Sequence, residues 1–219
     1  NGSTYVSIPT GQYRNGEDCT ACSNKPTNTS YTGNGGTSNS CPYVADSGYC
    51  YNGTSYVSIP TGQYRSGETC TACSNKPANT AYTGNGGTSN SCPYTGNTGY
   101  CSDGTSYVSI PTGQYRSGET CTACTNKPTN TAYTGNGGTA NNCPYTGNTG
   151  YCYNGTSYVS IPSGQYRSGE TCTACTNKPA NTSYTGPGTT TSNCAYTGNS
   201  GYCNNGSAYV AIPTGYYRS

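Results

Sequence analysis

Apolar positions in this chain never run beyond a few residues. Tyr56-Val57-Ser58-Ile59-Pro60 alternates side-chain faces and stops at proline, the pattern of a short strand. Thr61-Gly62 and Ser66-Gly67 bracket Gln63-Tyr64-Arg65, which predicts a second short strand after a turn. Asn79 to Ala81 with Tyr82-Thr83 predicts another, closed by the turn at Asn85-Gly86-Gly87. No segment sustains a helical period, so helix is expected to be scarce.

The same short pattern returns at a fixed step. The cysteines at 19, 70, 121 and 172 are 51 residues apart, and so are those at 22, 73, 124 and 175. Cys41, Cys92, Cys143 and Cys194 keep the step, as do Cys50, Cys101, Cys152 and Cys203, with no insertion or deletion. Four repeats are expected at 1–51, 52–102, 103–153 and 154–204, and residues 205–219 begin a fifth. Because the sequence opens at Asn1 without a charged and apolar leader and stops inside a motif, it reads as a window of a longer precursor.

Composition explains why so many cysteines are needed. The chain has no Met, Trp, Phe, His or Leu, and few Val and Ile, so aromatic burial falls to its 25 Tyr. Ordering each residue costs roughly 1 to 2 kcal/mol of backbone entropy, which so little apolar area cannot offset alone. Covalent links are therefore expected to restrict the unfolded chain. Only 7% of residues are charged, which is a poor match to charge-driven disorder. The net charge of +2 is spread singly, which argues against nucleic acid or an anionic membrane as partner, and no run is long enough for a transmembrane helix.

Each repeat carries C-x2-C, eighteen residues, then C-x8-C, so only its first half resembles a zinc knuckle. A redox C-x-x-C belongs at a helix N-terminus, whereas Ser23, Asn24, Lys25 and Pro26 follow the motif here. Structural disulfides in an oxidising, extracellular compartment are the expectation, with no metal and no cofactor. All sixteen cysteines are candidates: 19, 22, 41, 50, 70, 73, 92, 101, 121, 124, 143, 152, 172, 175, 194 and 203. Pairing Cys19 with Cys41 and Cys22 with Cys50 leaves no cysteine over and is the preferred connectivity. Its rival pairs Cys22 with Cys41 and Cys50 with Cys70, tying one repeat to the next and leaving Cys19 and Cys203 without partners.

The core G-x-Y-x-x-G-x-x-C-x-x-C recurs at Gly11 to Cys22, Gly62 to Cys73, Gly113 to Cys124 and Gly164 to Cys175. With the stretch GQYRSGETCTACSNKPANTAYTGNGGTSNSCPY it resembles the ephrin-receptor-like or growth-factor-receptor-like cysteine-rich repeats of ciliate, algal and other protist surface proteins. The cysteine spacing is also similar to tumour-necrosis-factor-receptor modules, whose interlocked pairing supports the preferred connectivity. The chain departs from the first family at Ile59-Pro60, where members often have Cys-Pro, and at Gly96, where they have Cys. The resemblance implies surface-coat antigens or extracellular filaments and hairs.

Asn-x-Ser/Thr acceptors for N-linked glycans stand at Asn1, Asn52, Asn154 and Asn205 in one register, with Asp103 in the remaining copy. Asn28 and Asn181 form a second register that Asn79 and Asn130 lose to Ala81 and Ala132. Asn-Gly is also a turn signal in its own right. The Ser and Thr content would permit O-glycans as well. The tyrosines are expected to pack over disulfides and prolines as a substitute core, or to provide lateral contacts between filament strands. Tyr64 with Arg65 offers a cation and aromatic surface, and the Arg, Glu and Lys of each repeat are read chiefly as solvated charge.

Without His, with few carboxylates and with its cysteines committed, the chain is not expected to be an enzyme. The expected fold is small, disulfide-rich, mostly β and irregular: a tandem array of short-hairpin modules forming an elongated rod. The expected function is a structural extracellular glycoprotein that self-assembles into a filament, fibre or surface hair, with copies of itself as partner. The alternative is a monomeric cell-surface coat antigen or adhesion ectodomain.

Overall fold

The computed structural model describes residues 4–218, and among them strands of three or four residues are the only regular elements. In the first part of the chain these are β1 (Gln12–Asn15), β2 (Asp18–Ala21), β3 (Thr29–Tyr31), β4 (Tyr43–Ala45), β5 (Tyr49–Tyr51), β6 (Tyr56–Ser58), β7 (Gln63–Ser66), β8 (Thr69–Ala72), β9 (Thr80–Tyr82) and β10 (Tyr94–Gly96). The alternation read at Tyr56 gives β6, the bracketed triplet gives β7, and the Asn79–Thr83 stretch gives β9. The first three residues of each CTAC lie in a strand, β8 in the second copy, that the pattern did not disclose, since threonine and cysteine carry a weak periodic signal.

The chain divides into two compact units, Asn1–Val108 and Ser109–Ser219. In the first, β7 and β8 form a hairpin around the two-residue turn Gly67-Glu68, with Ser66 opposite Thr69. Gly67 has φ 61°, a left-handed conformation that glycine adopts without steric cost. β3 pairs antiparallel with β4 across a long loop, and β9 with β10 in the same way. β5 pairs antiparallel with β6 and parallel with β8, giving a four-stranded sheet in the order β6-β5-β8-β7. The boundary between residues 51 and 52 falls inside this sheet, because the phase of a tandem period is arbitrary. The second unit repeats it with Tyr158–Ser160, Tyr151–Tyr153, Thr171–Ala174 and Gln165–Ser168.

What lies inside is chiefly sulfur. Cys41, Cys50, Cys92, Cys143, Cys152 and Cys194 are at most 2% exposed, with Thr29, Thr80, Thr131 and Thr182 beside them in burial. Ala45, Ile59 and Ile110 are the aliphatic side chains buried beside them among the described residues. Each buried threonine satisfies its hydroxyl locally: Thr29 Oγ1 donates to the Pro26 carbonyl at 2.7 Å, and Thr80 to Pro77 at the same distance. The tyrosines do not replace the missing core. They occupy half-buried or exposed positions, because a ring with a hydroxyl rests most cheaply where its tip stays wet.

The GNGG loop is fitted against this interior. A Cβ at Gly86 would lie 2.2 Å from the Ser89 carbonyl oxygen, 3.0 Å from Tyr64 Cβ and 3.3 Å from Cys73 Sγ, so only glycine admits the approach. Its N–H donates to the Gln63 carbonyl at 2.9 Å, which seats the loop on β7.

Candidate functional site

The two cysteines of each C-x-x-C go to different places. Residues three apart on extended chain face opposite sides, so Cys70 and Cys73 cannot serve one partner. Cys73 pairs with Cys92, as Cys22 pairs with Cys41, Cys124 with Cys143 and Cys175 with Cys194. Cys70 pairs instead with Cys50 of the preceding repeat, and Cys172 with Cys152. Cys101 and Cys121 are disulfide-bonded as well.

This corrects the preferred connectivity. Cys19 does not pair with Cys41, nor Cys22 with Cys50, because β8 lies beside β5 of the repeat before it and brings the two cysteine Cα atoms to 5.0 Å. The rival arrangement is the one formed, and Cys19 and Cys203 are unpaired and half-buried. Among the described residues no three His, Cys, Asp or Glu side chains gather as a metal site.

Around each cross-repeat disulfide the chain builds a joint. The Tyr51 N–H donates to the Glu68 carbonyl at 2.6 Å, and the Tyr153 N–H to Glu170 at 2.6 Å. Arg65 and Glu68, three apart across the β7–β8 turn, grip the backbone of Ala45 on β4. Arg65 Nη1 donates to its carbonyl at 2.9 Å, and the Glu68 carboxylate accepts its N–H at 2.6 Å. In the second unit Arg167 and Glu170 hold both backbone groups of Gly147 at 2.7 Å. Thr146 Oγ1 adds a hydrogen bond to Glu170 at 2.6 Å, and Arg167 and Glu170 form an ion pair.

Two further contacts complete the joint. Asn28 Nδ2 donates to the Tyr56 carbonyl at 2.9 Å, and Asn130 to Tyr158 and Asn181 to Tyr209 in the same manner. These asparagines hold φ near +60°, a left-handed conformation that asparagine tolerates better than most residues. Tyr43 meets Tyr56 edge-on with centroids 6.3 Å apart, and Tyr145 meets Tyr158 at 6.4 Å. Arg65 with Glu68 and Arg167 with Glu170 are thus structural clamps at these joints. Lysine, rather than arginine, covers an aromatic face: Lys25 Nζ lies 5.8 Å from the Tyr31 centroid and donates to the Thr29 carbonyl at 2.8 Å.

The clamp has a pH signature. Burial is the largest single influence on the Glu170 carboxyl and resists its ionisation. Hydrogen bonds from Thr146, the Gly147 N–H, Arg167 and Tyr158 together overcome it and lower the pKa to about 2 from 4.5. Burial, with Glu170 alongside, raises the Tyr158 phenol above 10.0. Because the folded carboxyl titrates lower than the unfolded one, ionised Glu170 contributes stability above about 4.5 that disappears as pH falls toward 2. Its side chain is 42% exposed, so solvent screens part of the effect. Thermal unfolding followed from neutral pH to pH about 2 is expected to weaken below pH 4.5, and less steeply in Glu170→Gln. An identical acid limb in the variant would contradict the assignment.

The glycan candidates separate by geometry. Asn52 Oδ1 accepts the N–H groups of Thr54 and Ser55 at 3.0 Å, and Asn154 and Asn205 form the same turn. These three side chains are exposed and use only the oxygen. Asp103 supplies an equivalent carboxylate oxygen to Thr105 and Ser106 at 2.9 Å, so the turn needs an acceptor and not an amide nitrogen. Asn28 and Asn181, by contrast, spend the nitrogen in the joint. The sequence held a sign of this: asparagine persists at 79 and 130, where Ala81 and Ala132 have removed the acceptor motif. Asn1 lies outside the described residues.

Comparison with family models, curated proteins and solved structures returns no match. The architecture is that of small, disulfide-rich tandem modules, and this density of cystine belongs to an oxidising, extracellular or secreted setting. Among the described residues no helix is long and apolar enough to cross a membrane.

Proposed function

We propose that this chain is a structural extracellular glycoprotein of a filament or surface hair, built from modules akin to protist ephrin-receptor-like repeats and assembled from copies of itself. The observation that carries the reading is the joint. The same disulfide, Arg–Glu clamp and tyrosine pair recur at Cys50–Cys70 and at Cys152–Cys172. Identical modules joined through identical contacts are how open assemblies propagate. The reading gives the chain no catalytic role, nucleic-acid partner or resident cofactor. Electron microscopy of native material tests it: uniform fibres containing this chain are expected, whereas dispersed single molecules on a membrane would favour a coat antigen.

The glycans form part of this reading and divide by register. Asn52, Asn154 and Asn205 are expected to carry them, and Asn28 and Asn181 are expected to be bare, since a sugar on their nitrogen would crowd the Tyr56 and Tyr209 carbonyls. Enzymatic deglycosylation in heavy-oxygen water, followed by peptide mass spectrometry, reads each site as an Asn-to-Asp conversion. Label at Asn28 or Asn181 in the folded protein would contradict the partition.

A further inference from the structure

The tyrosines at the joints form two kinds of pair. Tyr43 with Tyr56, Tyr94 with Tyr107, Tyr145 with Tyr158 and Tyr196 with Tyr209 meet edge-on, with centroids 6.3 to 6.4 Å apart. This contact is present in all four copies and belongs to the packing of the joint. A second pair, Tyr51 with Tyr56 and Tyr153 with Tyr158, occurs in two copies, because Ser102 and Asn204 stand at the corresponding positions of the others. The hairpin forms in all four, so the fold does not require the second pair.

Its geometry is that of two rings poised edge to edge. Tyr51 lies directly opposite Tyr56 in the antiparallel register, and Tyr153 opposite Tyr158, so the side chains share one face of the hairpin. Their centroids are 5.3 and 5.4 Å apart and their planes are tilted by 49°, closer than the edge-on pairs. A further approach of roughly 1 Å, the size of an ordinary thermal displacement, brings the rims into bonding contact. The Tyr51 and Tyr153 hydroxyls donate to the Gly53 and Gly155 carbonyls at 2.8 Å, which steadies both rings. Tyr51 is 36% exposed, within reach of an oxidant in solution. The Tyr158 hydroxyl donates to the Glu170 carboxylate, so its proton has an acceptor when an electron leaves. With no Met, Trp or His in the chain, tyrosine is the side chain that a one-electron oxidant meets wherever cysteine is already bonded.

We infer that Tyr51 with Tyr56, and Tyr153 with Tyr158, are sites of oxidative coupling that join the two rings carbon to carbon. The oxidant is hydrogen peroxide, used by a haem peroxidase. Each phenol gives up one electron and one proton and becomes a phenoxyl radical. The two radicals bond through the ring carbons beside their hydroxyls, and each of those carbons then passes its hydrogen to the phenol oxygen as the ring regains aromaticity. Two electrons and two protons leave in total, and the peroxide takes them up to become two molecules of water. The product ties β5 to β6 one residue from Cys50, with a bond that thiols do not cleave.

The test treats the dilute full chain with a haem peroxidase and hydrogen peroxide, then reduces, alkylates and digests it with trypsin. Every lysine precedes proline, so cleavage falls after arginine and gives 15–65, 66–116, 117–167 and 168–218, each with one joint. Peptides 15–65 and 117–167 are expected to lose two hydrogens, with no backbone fragments released between the coupled rings. The loss should exceed that in 66–116 and 168–218 at least about tenfold, the advantage of radicals held together over chance encounter. Tyr51→Phe should abolish it in 15–65 and spare 117–167, while Ser102→Tyr should create it in 66–116. Equal loss in all four peptides, dityrosine chiefly between chains, tyrosines intact after the peroxide is consumed, or a Ser102→Tyr chain whose 66–116 stays uncoupled would each overturn the proposal. Fibre formation does not enter the readout, so each of these outcomes leaves the filament reading standing.

Discussion

Full reduction at neutral pH is expected to unfold the chain, abolishing its strand circular dichroism and the dispersion of its amide resonances. The cause is the nature of the interior. Its most deeply buried side chains are cysteines and threonines, with Ala45, Ile59 and Ile110 the buried aliphatics among the described residues. Cys22–Cys41 and Cys50–Cys70 span 19 and 20 residues, and closing a loop of that size stabilises the fold by about 3 kcal/mol. Fourteen cysteines are bonded in this way. At about 3 kcal/mol for each closure their combined contribution exceeds the whole net stability of an ordinary domain, about 5 to 15 kcal/mol. A reductant-treated chain that kept its amide dispersion would show that hydrogen bonding and tyrosine packing suffice without them.

The second large effect separates the two kinds of disulfide. Replacing Cys73 and Cys92 together by Ala should disorder the loop between them and the β9–β10 hairpin, because Gly86 and Tyr64 pack at that cystine. The cost is about 3 kcal/mol for the lost closure, with a further cavity term for a site where Cys92 is 1% exposed. Replacing Cys50 and Cys70 removes a closure of the same size but acts on the joint. Amide exchange should accelerate at Tyr51 and Ala45, whose N–H groups bond the Glu68 carbonyl and carboxylate, and should stay slow in β9. Equal exchange changes from both double variants would contradict the division into module and joint.

The sequence disclosed the parts whose signal is local. Proline and glycine bracket β6 and β7, and a period without slips exposes the repeats. The joint was hidden because its partners are distant and mostly backbone. The parallel contact of β5 with β8 is a single residue pair, Tyr51 with Thr69, which leaves no periodic trace. Arg65 and Glu68 read as surface charge because their target is the peptide group of Ala45, and a peptide group has no sequence signature. Cystine connectivity was hidden for a related reason: it depends on which strand lies across a repeat boundary, and spacing within one repeat does not encode that. The tyrosines misled in the other direction, since a chain short of apolar residues invites a tyrosine core that cystine supplies instead.

The central claim is that at Cys70–Cys73 and at Cys172–Cys175 the second cysteine closes its own module and the first staples the module before it. Non-reducing cleavage after tyrosine decides it directly. The peptide 65–82 carries Cys70 and Cys73, and the peptide 83–94 carries Cys92. Joined to both, the structure predicts the dipeptide Cys50-Tyr51. Finding CSDGTSY, which carries Cys101, in its place would show a connectivity closed within each repeat and would contradict the joint.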